Sequence, residues 1–148
     1  MNTHPYLRAY MAGTFVPSLA LLVTLTVISL TRLVWPGHLP LERVIIFPMA
    51  VVPNAFGLWN MLYVWSRPQR HLPIGLHGAL LPVILLSAGA FSAVCGGFLV
   101  IGAHGVTLFQ TIRVPYMLVA LWFLGVLVLY YLVWKYVVGF LNQVLGIA

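Results

Sequence analysis

Apolar residues run along this chain in four long stretches, and polar positions gather between the stretches more than within them. The first is Tyr10 to Thr31, interrupted only by hydroxyls (Thr14, Ser18, Thr24, Thr26, Ser29, Thr31). The second, Val44 to Trp65, carries no charge. The third is Ile74 to Ile101, and the fourth runs from Val114 to Leu141 past a single Lys135. An α-helix rises 1.5 Å per residue and the hydrocarbon of a bilayer is about 30 Å thick, so each stretch is long enough to cross it as a helix. The pattern predicts transmembrane helices at about 10–34, 44–65, 74–101 and 114–141.

The segments between them read as loops. Trp35 to Arg43 is punctuated by Pro36, Gly37 and Pro40, and Ser66 to Pro73 holds two prolines and the densest basic patch. Gly102 to Arg113 forms a third loop with His104, Gln110 and Thr111, and Asn142 to Ala148 is a mildly apolar tail suited to the membrane interface. The first run exceeds the hydrophobic core of a signal peptide and meets Arg32 and Trp35 with no small-residue cleavage site, so it reads as a retained helix. The expected fold is all-α: a polytopic integral membrane protein, an up-down four-transmembrane-helix bundle forming one membrane domain over residues 1–148.

Composition narrows the class. The chain is 63% hydrophobic and 5% charged, against about 25% charged in a soluble domain, which excludes a water-soluble fold. The net charge of +6 comes from Arg8, Arg32, Arg43, Arg67, Arg70, Arg113 and Lys135 against Glu42 alone. These cations are scattered, each at or near the end of an apolar run, which disfavours a nucleic-acid footprint and favours contact with the lipid bilayer. Arg67, Arg70 and His71 form the candidate site for anionic headgroups. Four helices with short loops place both termini on one side, with Arg8, Arg67, Arg70 and Lys135. Arg32, Arg43 and Arg113 lie opposite, so the positive-inside rule assigns the termini to the cytoplasm by one charge. Tyr6, Tyr10, Tyr63, Trp65, Tyr130, Tyr131, Trp134 and Tyr136 would form an aromatic belt on the terminal side.

Two stretches stand out inside the spans. Helix 3 is crowded with small residues: Gly89, Ala93 and Gly97 fall on one i, i+4, i+8 ridge, and Ala88, Ser92 and Gly96 on another. Such ridges let membrane helices approach closely, so helix 3 is expected to pack against helices 1 and 2. Unbroken, this helix would outrun the hydrocarbon, so it must tilt, protrude or break, and Gly96-Gly97 is the place to bend. Helix 2 is interrupted by Pro48, Pro53, Asn54, Gly57 and Asn60. One reading makes Pro53, Asn54, Gly57 and Asn60 a distorted polar segment lining a pathway. The other has the asparagines hydrogen-bonded between helices, to Ser87, Ser92 or the helix 1 threonines, and is favoured.

A partial internal repeat accompanies these features. Gly13 and Pro17 match Gly78 and Pro82 at one offset, and Met49, Gly57 and Tyr63 match Met117, Gly125 and Tyr131 at another. Accidental matching of leucine-rich helices is the stronger explanation.

Catalytic constellations are missing from the sequence. Cys95 is the only cysteine, and Glu42, the only acidic residue, stands next to Arg43 before helix 2. His77 and His104 lie at opposite ends of helix 3, too far apart to share an iron, and His4, His38 and His71 have no metal-ligand spacing. No serine has an intramembrane base beside it. No enzyme, cofactor or metal is expected. The first expectation for function is therefore a non-enzymatic helix-packing or accessory subunit, or a homo-oligomeric membrane component. The alternatives are a small channel or carrier for a neutral or anionic solute, and a lipid- or cofactor-binding bundle.

Overall fold

The computed structural model describes residues 4–34, 41–68 and 72–147, with residues 34 and 41–50 as backbone only. The chain is mostly helical. Helix α1 spans Pro5–Val34, α2 Leu41–Ser66 and α3 Ile74–Cys95. Three short strands follow, β1 (Leu99–Gly102), β2 (Gly105–Leu108) and β3 (Ile112–Pro115). Helix α4 (Tyr116–Leu132) then passes through a π-helical turn, Val133–Val138, into α5 (Gly139–Val144). Among the described residues, three helical segments are long and apolar enough to cross a membrane: Pro5–Leu33, Ile74–Cys95 and Tyr116–Val144. They are consistent with an integral membrane protein, and α2 is one more helix in addition to them.

The chain divides into two compact units. One comprises Met1–Leu72 with Tyr136–Ala148, and the other Pro73–Lys135.

In the first unit α1 and α2 form a hairpin. Among the described side chains, the buried residues of α1 are Ala9, Ala12, Gly13 and Pro17, a stripe at helical spacing, and those of α2 are Phe56, Gly57 and Asn60. Small residues set how closely the helices cross. A Cβ on Gly13 would stand 2.5 Å from the carbonyl oxygen of Phe56, and one on Gly57 would stand 2.6 Å from the Tyr10 ring. The hydroxyls of α1 serve their own helix: Thr24 Oγ1 donates to the Ala20 carbonyl at 2.8 Å and Thr26 Oγ1 to that of Leu22 at 2.8 Å. A hydroxyl bonded to the preceding turn is compatible with a lipid-facing surface. Helix α2 runs unbroken through Pro53 and Gly57.

In the second unit α3 packs on α4 through the first turns of α3, not through its middle. Gly75, His77, Gly78, Leu81 and Pro82 are buried. A Cβ on Gly75 would stand 2.7 Å from the Tyr131 ring, and one on Gly78 would enter the ring of Trp134. The edge of His77 meets the same indole, with ring centroids 6.1 Å apart. Trp134 is fully buried, so it belongs to the packed interior and not to an aromatic belt facing lipid.

The third and fourth predicted segments need correcting at the ends that face each other. Helix α3 does not continue to Ile101; it stops at Cys95, and the expected loop Gly102–Arg113 is part of a sheet. The stop is a Schellman arrangement. Gly97 takes the left-handed conformation (φ 72), its N–H donates to the Val94 carbonyl at 3.1 Å, and the Phe98 N–H reaches back to Ala93 at 2.9 Å. Past it, β-branched and apolar residues form an antiparallel meander in the order β1-β2-β3. Ala103-His104 make the first turn, between Gly102 and Gly105. Phe109 and Gln110, both left-handed (φ 52 and 59), make the second, closed by the Thr111 N–H donating to the Leu108 carbonyl at 3.0 Å. Pro115 ends β3 and caps α4, where its missing N–H removes no helical hydrogen bond.

Candidate functional site

The most polar buried cluster belongs to the first unit and is centred on Asn60. Its position follows from the α2 stripe: Asn60 is one turn beyond Phe56, on the face that meets α1, and is completely buried. Its Nδ2 donates to the backbone carbonyl of Ala9 at 2.8 Å and to Oδ1 of Asn142 at 2.8 Å. Asn142 Nδ2 returns a hydrogen bond to Asn60 Oδ1 at 3.0 Å. Asn142 is itself 1% exposed. The two carboxamides therefore pair face to face, each as donor and acceptor, and the pair joins α1, α2 and α5. In a dry interior this reciprocity matters, since a buried amide left unsatisfied costs about 1–3 kcal/mol.

Two further contacts surround the pair. Arg8 Nη1 donates to the Leu145 carbonyl at 3.2 Å. Leu145 is the C-cap of α5, where terminal carbonyls lack intrahelical partners and the helix dipole favours a cation. Tyr10 donates its hydroxyl hydrogen bond to Asn54 Oδ1. Asn54 is exposed and Asn60 buried, as their separation around α2 requires.

The asparagine partners thus differ from the sequence expectation. Asn60 bonds the Ala9 carbonyl and Asn142, neither of which was expected, and Asn54 accepts from Tyr10. Ser87 Oγ donates to the Val83 carbonyl of its own helix at 2.6 Å. Pro53 and Gly57 flank the same region of α2: Pro53 is half-buried, and Gly57 is buried under Tyr10 and Thr14. Asn142 was not singled out from the sequence, where it stands in the mildly apolar tail. The only signal available was an asparagine among apolar residues, the same signal that drew attention to Asn60.

The remaining candidates are placed apart. The helix-packing ridge of α3 lies in its less covered half: a Cβ on Gly89 would meet nothing within 4 Å, Gly89 and Ala93 are half-buried, and Ser92, Gly96 and Gly97 are exposed. Gly96 and Gly97 terminate the helix instead of packing it. Arg67 is exposed just after α2, whereas Arg70 and His71 lie outside the described residues, as do His38 and the side chains of Glu42 and Arg43. Among the described residues, no three His, Cys, Asp or Glu side chains gather as a metal site would require.

The carboxamide pair thus ties α1, α2 and α5 together through neutral hydrogen bonds. Compared with protein-family models, with curated proteins and with solved structures, the chain matches none.

Proposed function

We propose that the chain is a non-enzymatic membrane component that crosses the bilayer four times, with α2 as the fourth span and both termini in the cytoplasm. It works as a building block, in a homo-oligomer or as a small subunit of a larger membrane complex. The observation that carries this reading is the Asn60–Asn142 pair. The buried amides of the first unit satisfy one another and the backbone of α1, which is what a helix-holding role needs and a solute pathway does not. The less covered half of α3 supports it, because small residues with open space beside them offer a membrane partner close approach.

Native mass spectrometry of the protein released gently from its own membrane tests the proposal. A defined homo-oligomer, or stoichiometric co-migration with other membrane subunits, is the expected result. A lone monomer would sink it. Asn54, exposed on α2 and bonded to Tyr10, favours one second reading, a carrier for a neutral or anionic solute. That reading requires Asn54→Leu to abolish solute flux in proteoliposomes while the fold survives.

A further inference from the structure

The meander has two unlike faces. Register places Leu99, Leu108 and Ile112 side by side, and beside them Ile101, Val106 and Val114, so one face is apolar throughout. The opposite face carries Val100, Thr107 and Arg113 in register, with His104 in the adjoining turn. Thr107, His104 and Arg113 line a groove on that side together with Gly102, Gly105 and Pro115. The apolar face is uncovered at its margins: Ile101 is 65% and Ile112 54% exposed.

Three constraints fix where such a sheet can lie. An apolar face left in water is unfavourable in proportion to its area, which argues against a sheet standing free above the membrane. An open sheet edge carries unpaired N–H and C=O groups, and lipid hydrocarbon offers them no partner, which argues against deep insertion. The ends of the meander supply the third constraint. β1 follows the Schellman stop of α3 within a few residues, and β3 passes directly into α4 through Pro115. The sheet is therefore held at the height where two membrane-crossing helices begin and end. Local hydrogen bonds also close part of its polar periphery: Tyr116 Oη donates to the Gly102 carbonyl at 2.6 Å, and the Phe109 N–H to the Phe98 carbonyl at 2.8 Å.

We infer that the meander Leu99–Pro115 is a membrane-interface element, its apolar face laid on the acyl-chain boundary of one leaflet and its Arg113–His104 face turned to headgroup phosphates and water. The occupant of the apolar face is bilayer lipid, because the sheet is joined through short connections to the ends of two long, apolar and little-buried helical segments, Ile74–Cys95 and Tyr116–Val144. Arg113, the only charge in the sheet, is at the depth where a guanidinium pairs with phosphate while its stem lies along apolar surface. The inference rests on α3 and α4 crossing the bilayer, part of the function proposed above.

Spin labels on the full chain test it in vesicles of mixed phosphatidylcholine and phosphatidylglycerol. In a Cys95→Ala background, single cysteines are placed at Ile101 and Ile112 on the apolar face, at Thr107 on the polar face, and at Ala90 within α3. Labels at Ile101 and Ile112 should be relaxed several-fold more by oxygen, which partitions into lipid, than by a water-soluble nickel chelate. Thr107 should show the reverse. Equal nickel access at Ile101, Ile112 and Thr107 would overturn the inference. Shielding of Ile101 and Ile112 from both relaxants, with spin–spin broadening, would overturn it too, by showing a second copy on that face. Nickel access at Ala90 would instead remove the span on which the inference depends. If the Ile101→Cys chain fails to fold, Ile112→Trp gives the same decision: brominated lipid should quench its added fluorescence, and an unquenched tryptophan refutes the placement.

Discussion

At the scale of single residues, the amide pair makes the sharpest demand. Asn60 and Asn142 each satisfy the other, so truncating one leaves its partner buried and short of a hydrogen bond. Asn60→Leu and Asn142→Leu should each lower the free energy of unfolding in mild detergent by about 1–3 kcal/mol. The double substitution should cost clearly less than the sum, because no orphaned amide then remains in the pair. Additive losses in a thermal or denaturant cycle would mean the two side chains do not act as a unit. Half of this site was legible beforehand. An asparagine in a charge-free apolar run must find a partner, and that reasoning reaches Asn60 from sequence alone. The partner itself was not legible. Asn142 is separated from Asn60 by most of the chain, and the same hydrogen-bonding need is met equally well on paper by any hydroxyl or amide nearby. Only the crossing of α1 and α2 at Gly13 and Gly57 decides which face of α2 turns inward, and hence which group meets Asn60.

At the scale of elements, close packing depends on where a small residue stands, not on how many stand together. The densest small-residue run is the middle of α3, yet the tight crossings are made by isolated glycines, Gly13 and Gly57 between α1 and α2, Gly75 between α3 and α4, and Gly78 between α3 and the π-helical turn that follows α4. Each of these faces a bulky side chain or a backbone carbonyl that needs the room of a missing Cβ. Gly13→Ala puts a methyl group against the Phe56 carbonyl, a backbone atom that cannot step aside cheaply, and should cost about 1–3 kcal/mol. Gly89→Ala meets no neighbour and should be neutral or raise monomer stability by up to about 1 kcal/mol from helix propensity. Melting temperatures of the two variants in detergent check the contrast, and equal losses would erase it. Helix positions were legible because uninterrupted apolar length is a strong signal. The strands were not, because a continuous apolar run does not distinguish buried helix from strand by period. Leu99, Val100 and Ile101 extend the apolar run of α3 without a break in hydropathy, and only the left-handed Gly97 separates them from it. Gly96-Gly97 was recognised as a place to bend; the chain changes its secondary structure there.

At the scale of the whole molecule, the number of crossings fixes where the ends of the chain lie. Four spans return the C-terminus to the side of the N-terminus and put the meander opposite both. Three spans, with α2 lying along the surface, would leave the termini on opposite sides. The cation bias favours cytoplasmic termini by a single charge, Arg8, Arg67, Arg70 and Lys135 against Arg32, Arg43 and Arg113, so charge alone sets the orientation weakly. The Arg8 contact with Leu145 places the start of α1 beside the end of α5 within the first unit, as termini on one side require. Single cysteines at His4, Gln143 and Thr111, again in a Cys95→Ala background, separate the cases when treated with a membrane-impermeant maleimide in sealed vesicles of each orientation. His4→Cys and Gln143→Cys should react from the cytoplasmic face, and Thr111→Cys only from the other. Reaction of His4→Cys and Gln143→Cys from opposite faces would make α2 a surface helix. Joint reaction of both from the outer face would keep the four spans and reverse the orientation, leaving the Asn60–Asn142 pair and the interfacial meander unchanged in kind and moving only the leaflet on which that meander lies.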